Sequence, residues 1–101
     1  MRESVIQDQI IKWLRKQGAY AINIHGGPMQ EGGVADILCC WDGVFVTFEV
    51  KVPGQYPSPL QQHHIEKVNE ARGYAFCVHS VEEVKTALAE TEASLNAKLG
   101  L

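Results

Sequence analysis

Residues Gly33–Lys51, GVADILCCWDGVFVTFEVK, read as two apolar strands joined at Asp42-Gly43. That dipeptide favours the left-handed backbone angles of a two-residue hairpin turn, so Trp41 is expected to face Val44. Counting outward from this pair places Asp36 directly opposite Glu49. Like charges facing each other across strands are destabilising, and a cation between or beside them resolves the conflict. Strand side chains return to the same face every second residue, which sets Lys51 beside Glu49. Two carboxylates and a lysine at one sheet end have the geometry of a divalent-metal site.

The body of the hairpin explains why charge is confined to that end. One face carries Ile37, Cys39 and Trp41 opposite Phe48, Val46 and Val44; the other carries Leu38 and Cys40 opposite Thr47 and Phe45. Both faces are mainly apolar, so the pair is expected to be buried on both sides in the middle of a sheet. Uncompensated carboxylates are expensive in such a setting, and a metal accounts for them economically.

Upstream, Ala19–His25 alternates and is rich in strand formers, giving a first strand. Between it and the hairpin, Gly26–Gly33 holds four glycines in eight residues, a composition that permits close backbone approach to a ligand and reads as a substrate-side flap. Residues 2–17 form an amphipathic helix, with Ile6, Ile10, Trp13 and Leu14 on one stripe and Gly18 as its stop. Glu3 falls at the head of that stripe. It either complements the helix N-terminus or points an acid toward the core and the sheet end.

Downstream, a proline-rich loop after Lys51 ends in a helix start. Ser58 suits the cap, Pro59 the first helical position, and Gln61 the capping-box position. The helix runs from Pro59 to about Arg72, with Gln61, Ile65 and Val68 on one stripe. Gln61 therefore has two readings, a capping residue or a polar group at the mouth of the acid site, and both hold if different atoms serve them. His63 and His64 are adjacent, about 100° apart on a helix, and make a poor metal pair. Gly73 ends this helix and Tyr74–His79 is a fourth strand. Ser80 and Glu83 then open a last helix whose stripe is Val81, Val84, Ala87 and Leu88. The tail, residues 91–101, either prolongs that helix or frays.

At 101 residues the chain reads as one domain, an α/β arrangement with a mixed four-stranded sheet. No apolar run approaches the roughly 20 residues that span a bilayer, and the opening MRESVIQDQIIKW lacks the apolar block of a signal peptide, so a cytoplasmic location is expected. The three cysteines, Cys39, Cys40 and Cys77, lie inside expected strands and read as reduced core thiols. A formal charge of −3 argues against a general nucleic-acid coat protein, yet a nucleic-acid enzyme needs only a local basic track. Arg2, Lys12, Arg15 and Lys16, with Lys51, Lys67 and Arg72, are candidates for it.

The spacing Asp36, twelve residues, Glu49-Val50-Lys51, set in an α-β-β-β-α-β(-α) chain, resembles the PD-(D/E)XK nucleases and specifically the stand-alone VRR-NUC domains, the virus-type replication-repair nucleases. The opening Glu3-Ser4-x-x-Gln7, the Gly32-Gly33-x-x-Asp36 approach and Ser58-Pro59-Leu60-Gln61 agree with it. One departure is Ala35, where the family often has proline; no ligand is lost. The resemblance implies a restriction-endonuclease-like core. It implies Asp36 and Glu49 as metal ligands, with the Val50 carbonyl and an additional acid, Glu3. Lys51 would orient or activate the attacking water, and Gln61 would position the site or substrate. Mg2+ or Mn2+ suits such an oxygen set, and the reaction implied is phosphodiester hydrolysis. Without a separate DNA-reading module, selection of branched DNA by shape is expected, with a homodimer matching the twofold symmetry of a Holliday junction. The alternatives are a non-catalytic DNA-binding or assembly module, and a cysteine-based metal protein, which the opposite facing of Cys39 and Cys40 disfavours.

Overall fold

The computed structural model describes residues 1–24 and 31–100. Its centre is the hairpin, in which β2 (Ile37–Trp41) and β3 (Val44–Val50) pair antiparallel with Trp41 against Val44 and Ile37 against Phe48. Asp42 and Gly43 both take positive φ, 48° and 81°, the conformation of a type I′ turn. β1 (Tyr20–Asn23) pairs antiparallel with β2, and β4 (Tyr74–Val78) pairs parallel with β3. The sheet is therefore mixed, in the order β1-β2-β3-β4.

The helices α1 (Glu3–Lys16), α2 (Pro59–Glu70) and α3 (Val81–Leu99) complete the expected element order. Ile6, Ile10 and Leu14 of α1 and Val84 and Leu88 of α3 close over Ile37, Val46, Phe48 and Val78 on one face of the sheet, forming the core. Trp13 stacks on Trp41 at 6.2 Å between ring centroids, and the Trp41 indole donates to Glu92 Oε1 at 3.1 Å. These contacts tie the turn end of the hairpin to both helices. α3 continues as helix through most of the tail, held in part by Thr91, buried and donating to the Ala87 carbonyl. Among the described residues no helix is long and apolar enough to cross a membrane.

The opposite face of the hairpin departs from expectation. Phe45 is 50 % and Tyr20 63 % exposed, and Cys40 is exposed while Cys39 is buried. The physical reason lies in α2, the one helix on this side, which contains no buried residue. Ile65 and Val68 line a cavity of about 250 Å3 between helix and sheet rather than filling it. Two side-chain hydrogen bonds attach α2 instead. Asn69 Oδ1, near its end, accepts the Ala75 N–H on the edge strand at 3.0 Å, and Gln61, in its first turn, reaches Glu49. Smaller differences are at element ends. β1 stops at Asn23, β4 at Val78 and α2 at Glu70. His25 and most of the expected flap, residues 25–30, lie outside the described residues.

Candidate active site

The two-residue turn carries the register to the far end of the hairpin, where Asp36 and Glu49 come together. Asp36 lies just before β2, its carbonyl accepting the Ile24 N–H at 2.7 Å. Its side chain turns across to β3, and Oδ2 accepts the Val50 N–H at 2.8 Å. The carboxylate thus substitutes for the next rung of the ladder. In an extended residue N–H and C=O share an edge, so the Val50 carbonyl faces the Asp36 side.

Glu49 sits on the α2 face and is 2 % exposed. Its Oε1 accepts Gln61 Nε2 at 2.7 Å and has Lys51 Nζ at 3.8 Å. Its Oε2 is buried and has no hydrogen-bond partner among the described residues. Burial first, and the charge of Asp36 second, push the Glu49 carboxyl up from 4.5 to about 8; Lys51 opposes the rise, while a hydrogen bond to Asp36 that only the protonated acid can donate, and then the charge of Glu3, add to it. A carboxylate kept out of water beside another one is a site short of positive charge.

Lys51 follows on the same face as Glu49, as alternation requires. Its backbone N–H donates to the Val78 carbonyl at 3.0 Å, which fixes the strand end from which the ammonium projects. Gln61 serves both of its expected roles with different atoms. Its N–H donates to Ser58 Oγ at 3.2 Å and its Oε1 accepts the Ser58 N–H at 2.8 Å, while Nε2 is turned to Glu49. Gly33 seats the approach to Asp36 on the same helix turn. At φ +82°, a Cβ there would lie 2.6 Å from Leu60 Cγ and 3.0 Å from the Leu60 backbone carbon.

Asp36, Glu49, Lys51 and Gln61 are therefore brought together, with the Val50 backbone alongside. Glu3, in the first turn of α1, reaches the cluster through its charge at Glu49. No group of three His, Cys, Asp or Glu side chains among the described residues is arranged to hold one ion, so the direct donor set consists of two carboxylates and backbone. That set, all hard oxygens with one of them buried and unpartnered among the described residues, fits a small divalent cation. Several cations of the expected basic track are engaged within the fold. Arg15 donates twice to the Ala21 carbonyl, at 3.1 and 3.0 Å, Lys12 pairs with Asp8 at 3.0 Å, and Lys67 with Glu70 at 3.2 Å. The three cysteines are free thiols. Cys77 stands beside Glu49 in the parallel register, its thiol pushed up by burial and then by the Glu49 charge.

Two contributors to this region are not legible in the sequence. His79 directs Nδ1 at Glu83 Oε1 (2.9 Å) and Nε2 at the Gln55 carbonyl (2.8 Å), holding the loop that follows Lys51. Asn69 anchors α2, as described above. Neither lies in a recognisable spacing, because each partner is set by tertiary placement.

No protein-family model matches the sequence, and no curated protein does. Solved structures do. One described as a VRR_NUC domain aligns at TM-score 0.74 and 21 % identity over 86 % of this chain and 94 % of that one. The fold is that of a VRR_NUC domain. A second, a VRR_NUC domain protein, gives 0.73 at 16 % identity, covering 88 % of this chain and 86 % of that one. Archaeoglobus fulgidus Hjc, a Holliday junction resolvase from an archaeal hyperthermophile, gives 0.62 at 17 % identity, over 76 % of this chain and 67 % of that one. The restriction-endonuclease-like core expected from the Asp36…Glu49-x-Lys51 spacing agrees with these likenesses.

Proposed function

We propose that this chain is a divalent-metal-dependent DNA endonuclease that hydrolyses phosphodiester bonds and selects branched DNA by shape. The observation that carries the reading is Glu49: a buried carboxylate with one oxygen unpartnered among the described residues, beside Asp36 and within 3.8 Å of Lys51. A purely structural ion cluster would satisfy its buried oxygens; this one leaves an acceptor open at a sheet end.

Asp36, Glu49 and the Val50 carbonyl would hold Mg2+ or Mn2+, with Glu3 as the outer acid of the site. When bound, such a cation supplies positive charge against the phosphoryl oxygens and makes water a better nucleophile. The chain's own groups do the rest. Lys51 places a mobile ammonium where it can donate to a phosphate oxygen and orient the attacking water. Gln61 keeps Glu49 Oε1 occupied, and the Val50 N–H fixes the Asp36 carboxylate, so both acids are oriented before substrate arrives.

The substrate class rests on the likeness in fold to a Holliday junction resolvase. A homodimer is part of the proposal, since two sites related by a twofold axis match the symmetry of a four-way junction. The test is a panel of four-way junction, flap and linear duplex DNAs incubated with Mg2+ or Mn2+. Cleavage of branched forms that is lost in Lys51→Ala is expected. Cleavage that survives Lys51→Ala, or binding of every DNA with no cleavage under either ion, would refute the reading. The latter outcome would indicate a binding module on the same fold, and a solution mass decides the dimer.

A further inference from the structure

We infer that Ser58 is a positioning residue for the carboxylate site: the cap of α2 sets which way round the Gln61 amide sits, and thereby which oxygen of Glu49 is offered to a cation. This inference rests on the metal-site reading above.

The three hydrogen bonds form one chain. Ser58 Oγ accepts the Gln61 N–H at 3.2 Å, the Ser58 N–H donates to Gln61 Oε1 at 2.8 Å, and Gln61 Nε2 donates to Glu49 Oε1 at 2.7 Å. A glutamine amide has a donor end and an acceptor end of nearly equal size. Here the acceptor end is consumed by the cap, so the donor end is the one that meets Glu49. With Oε1 so engaged, the oxygen left over is Oε2, buried and without a partner among the described residues.

The arrangement matters because little else holds Gln61 in place. No residue of α2 is buried, and a cavity of about 250 Å3 lies under the helix between Gln61, Ile65 and Val68 and the sheet. A free glutamine side chain loses rotamer entropy when fixed in one geometry. The cap makes that ordering part of folding rather than of cation binding. Pro59 at the first helical position presets the backbone of the same turn. Ser58 touches neither Asp36 nor Glu49, so it acts only through Gln61.

The control is built into the fold. Ser80 caps α3 with the same contact, Oγ accepting the Glu83 N–H at 3.2 Å, and belongs to no part of the carboxylate cluster. Ser58→Ala, Ser58→Thr and Ser80→Ala are compared by thermal unfolding, by calorimetric titration with Mn2+ alone, and by the Gln61 side-chain amide signals of the metal-free protein. Both alanine variants should lose similar thermal stability. Only Ser58→Ala should weaken Mn2+ binding, by up to roughly tenfold, the low end for a group that orients a metal ligand, and move the Gln61 side-chain amide signals toward those of a free glutamine; Ser58→Thr should restore both. If Ser58→Ala binds Mn2+ as the wild type does and leaves the Gln61 amide signals at their wild-type positions, or if Ser80→Ala weakens Mn2+ binding equally, the positioning role is overturned. Wild-type protein that binds no Mn2+ overturns the metal-site reading and this inference together, an outcome distinct from the first two.

Discussion

In metal-free protein, Glu49 should make stability fall as pH rises. Its carboxyl is raised from 4.5 to about 8, chiefly by burial and then by the charge of Asp36. A folded pKa above the unfolded one means that the native state binds the proton more tightly. The stabilisation is therefore complete below about pH 4.5 and is lost as pH climbs through about 8. Each pKa unit corresponds to about 1.4 kcal/mol, so a rise of this size is worth on the order of a few kcal/mol. For a chain of 101 residues, about 1 kcal/mol moves the melting temperature by roughly 4–8 °C, and the fall from pH 4.5 to 8.5 should be on the order of 20 °C. Thermal unfolding followed by circular dichroism in EDTA measures it. Glu49→Gln, which cannot ionise, should flatten the profile, and Mg2+ or Mn2+ added at pH 8 should restore wild-type stability by binding the carboxylate. His79 contributes in the same direction, so the wild type minus Glu49→Gln difference isolates the acid. An equal slope in both proteins would refute the reasoning.

Other outcomes follow from single contacts. Gly33→Ala combines a positive φ with overlap onto the Leu60 backbone and should cost about 2 kcal/mol or more in a denaturant titration; an unchanged midpoint would contradict the seating of the Asp36 approach on α2. Asn69→Ala leaves the Ala75 N–H without its partner, which should cost about 1–3 kcal/mol and speed hydrogen exchange at that amide. For His79, both ring nitrogens face acceptors and its titration is raised above 6.5 by Glu83 and the Gln55 carbonyl. Proton NMR should find it titrating higher in wild type than in Glu83→Gln.

What the sequence reveals here depends on how local the cause is. The Asp42-Gly43 turn determines hairpin register within two residues, and that register by itself brings Asp36 to Glu49. Likewise Ser58, Pro59 and Gln61 announce the α2 start because every partner lies within the same turn. Exposure is different: Phe45 and Cys40 alternate like core residues, and only the shallow seating of α2 leaves them open. The unpartnered Glu49 oxygen and the His79 bridge between Gln55 and Glu83 are equally invisible, since they depend on chain segments meeting across the fold.

The central claim is that Asp36 and Glu49 hold a cation which phosphodiester cleavage requires. Its most direct test is the initial rate of four-way-junction cleavage against Mg2+ concentration, with wild type and Asp36→Asn side by side and EDTA as the zero point. The predicted result is saturable, Mg2+-dependent cleavage in the wild type and none in Asp36→Asn. Cleavage that persists in EDTA, or a variant that matches the wild type across the titration, would contradict it.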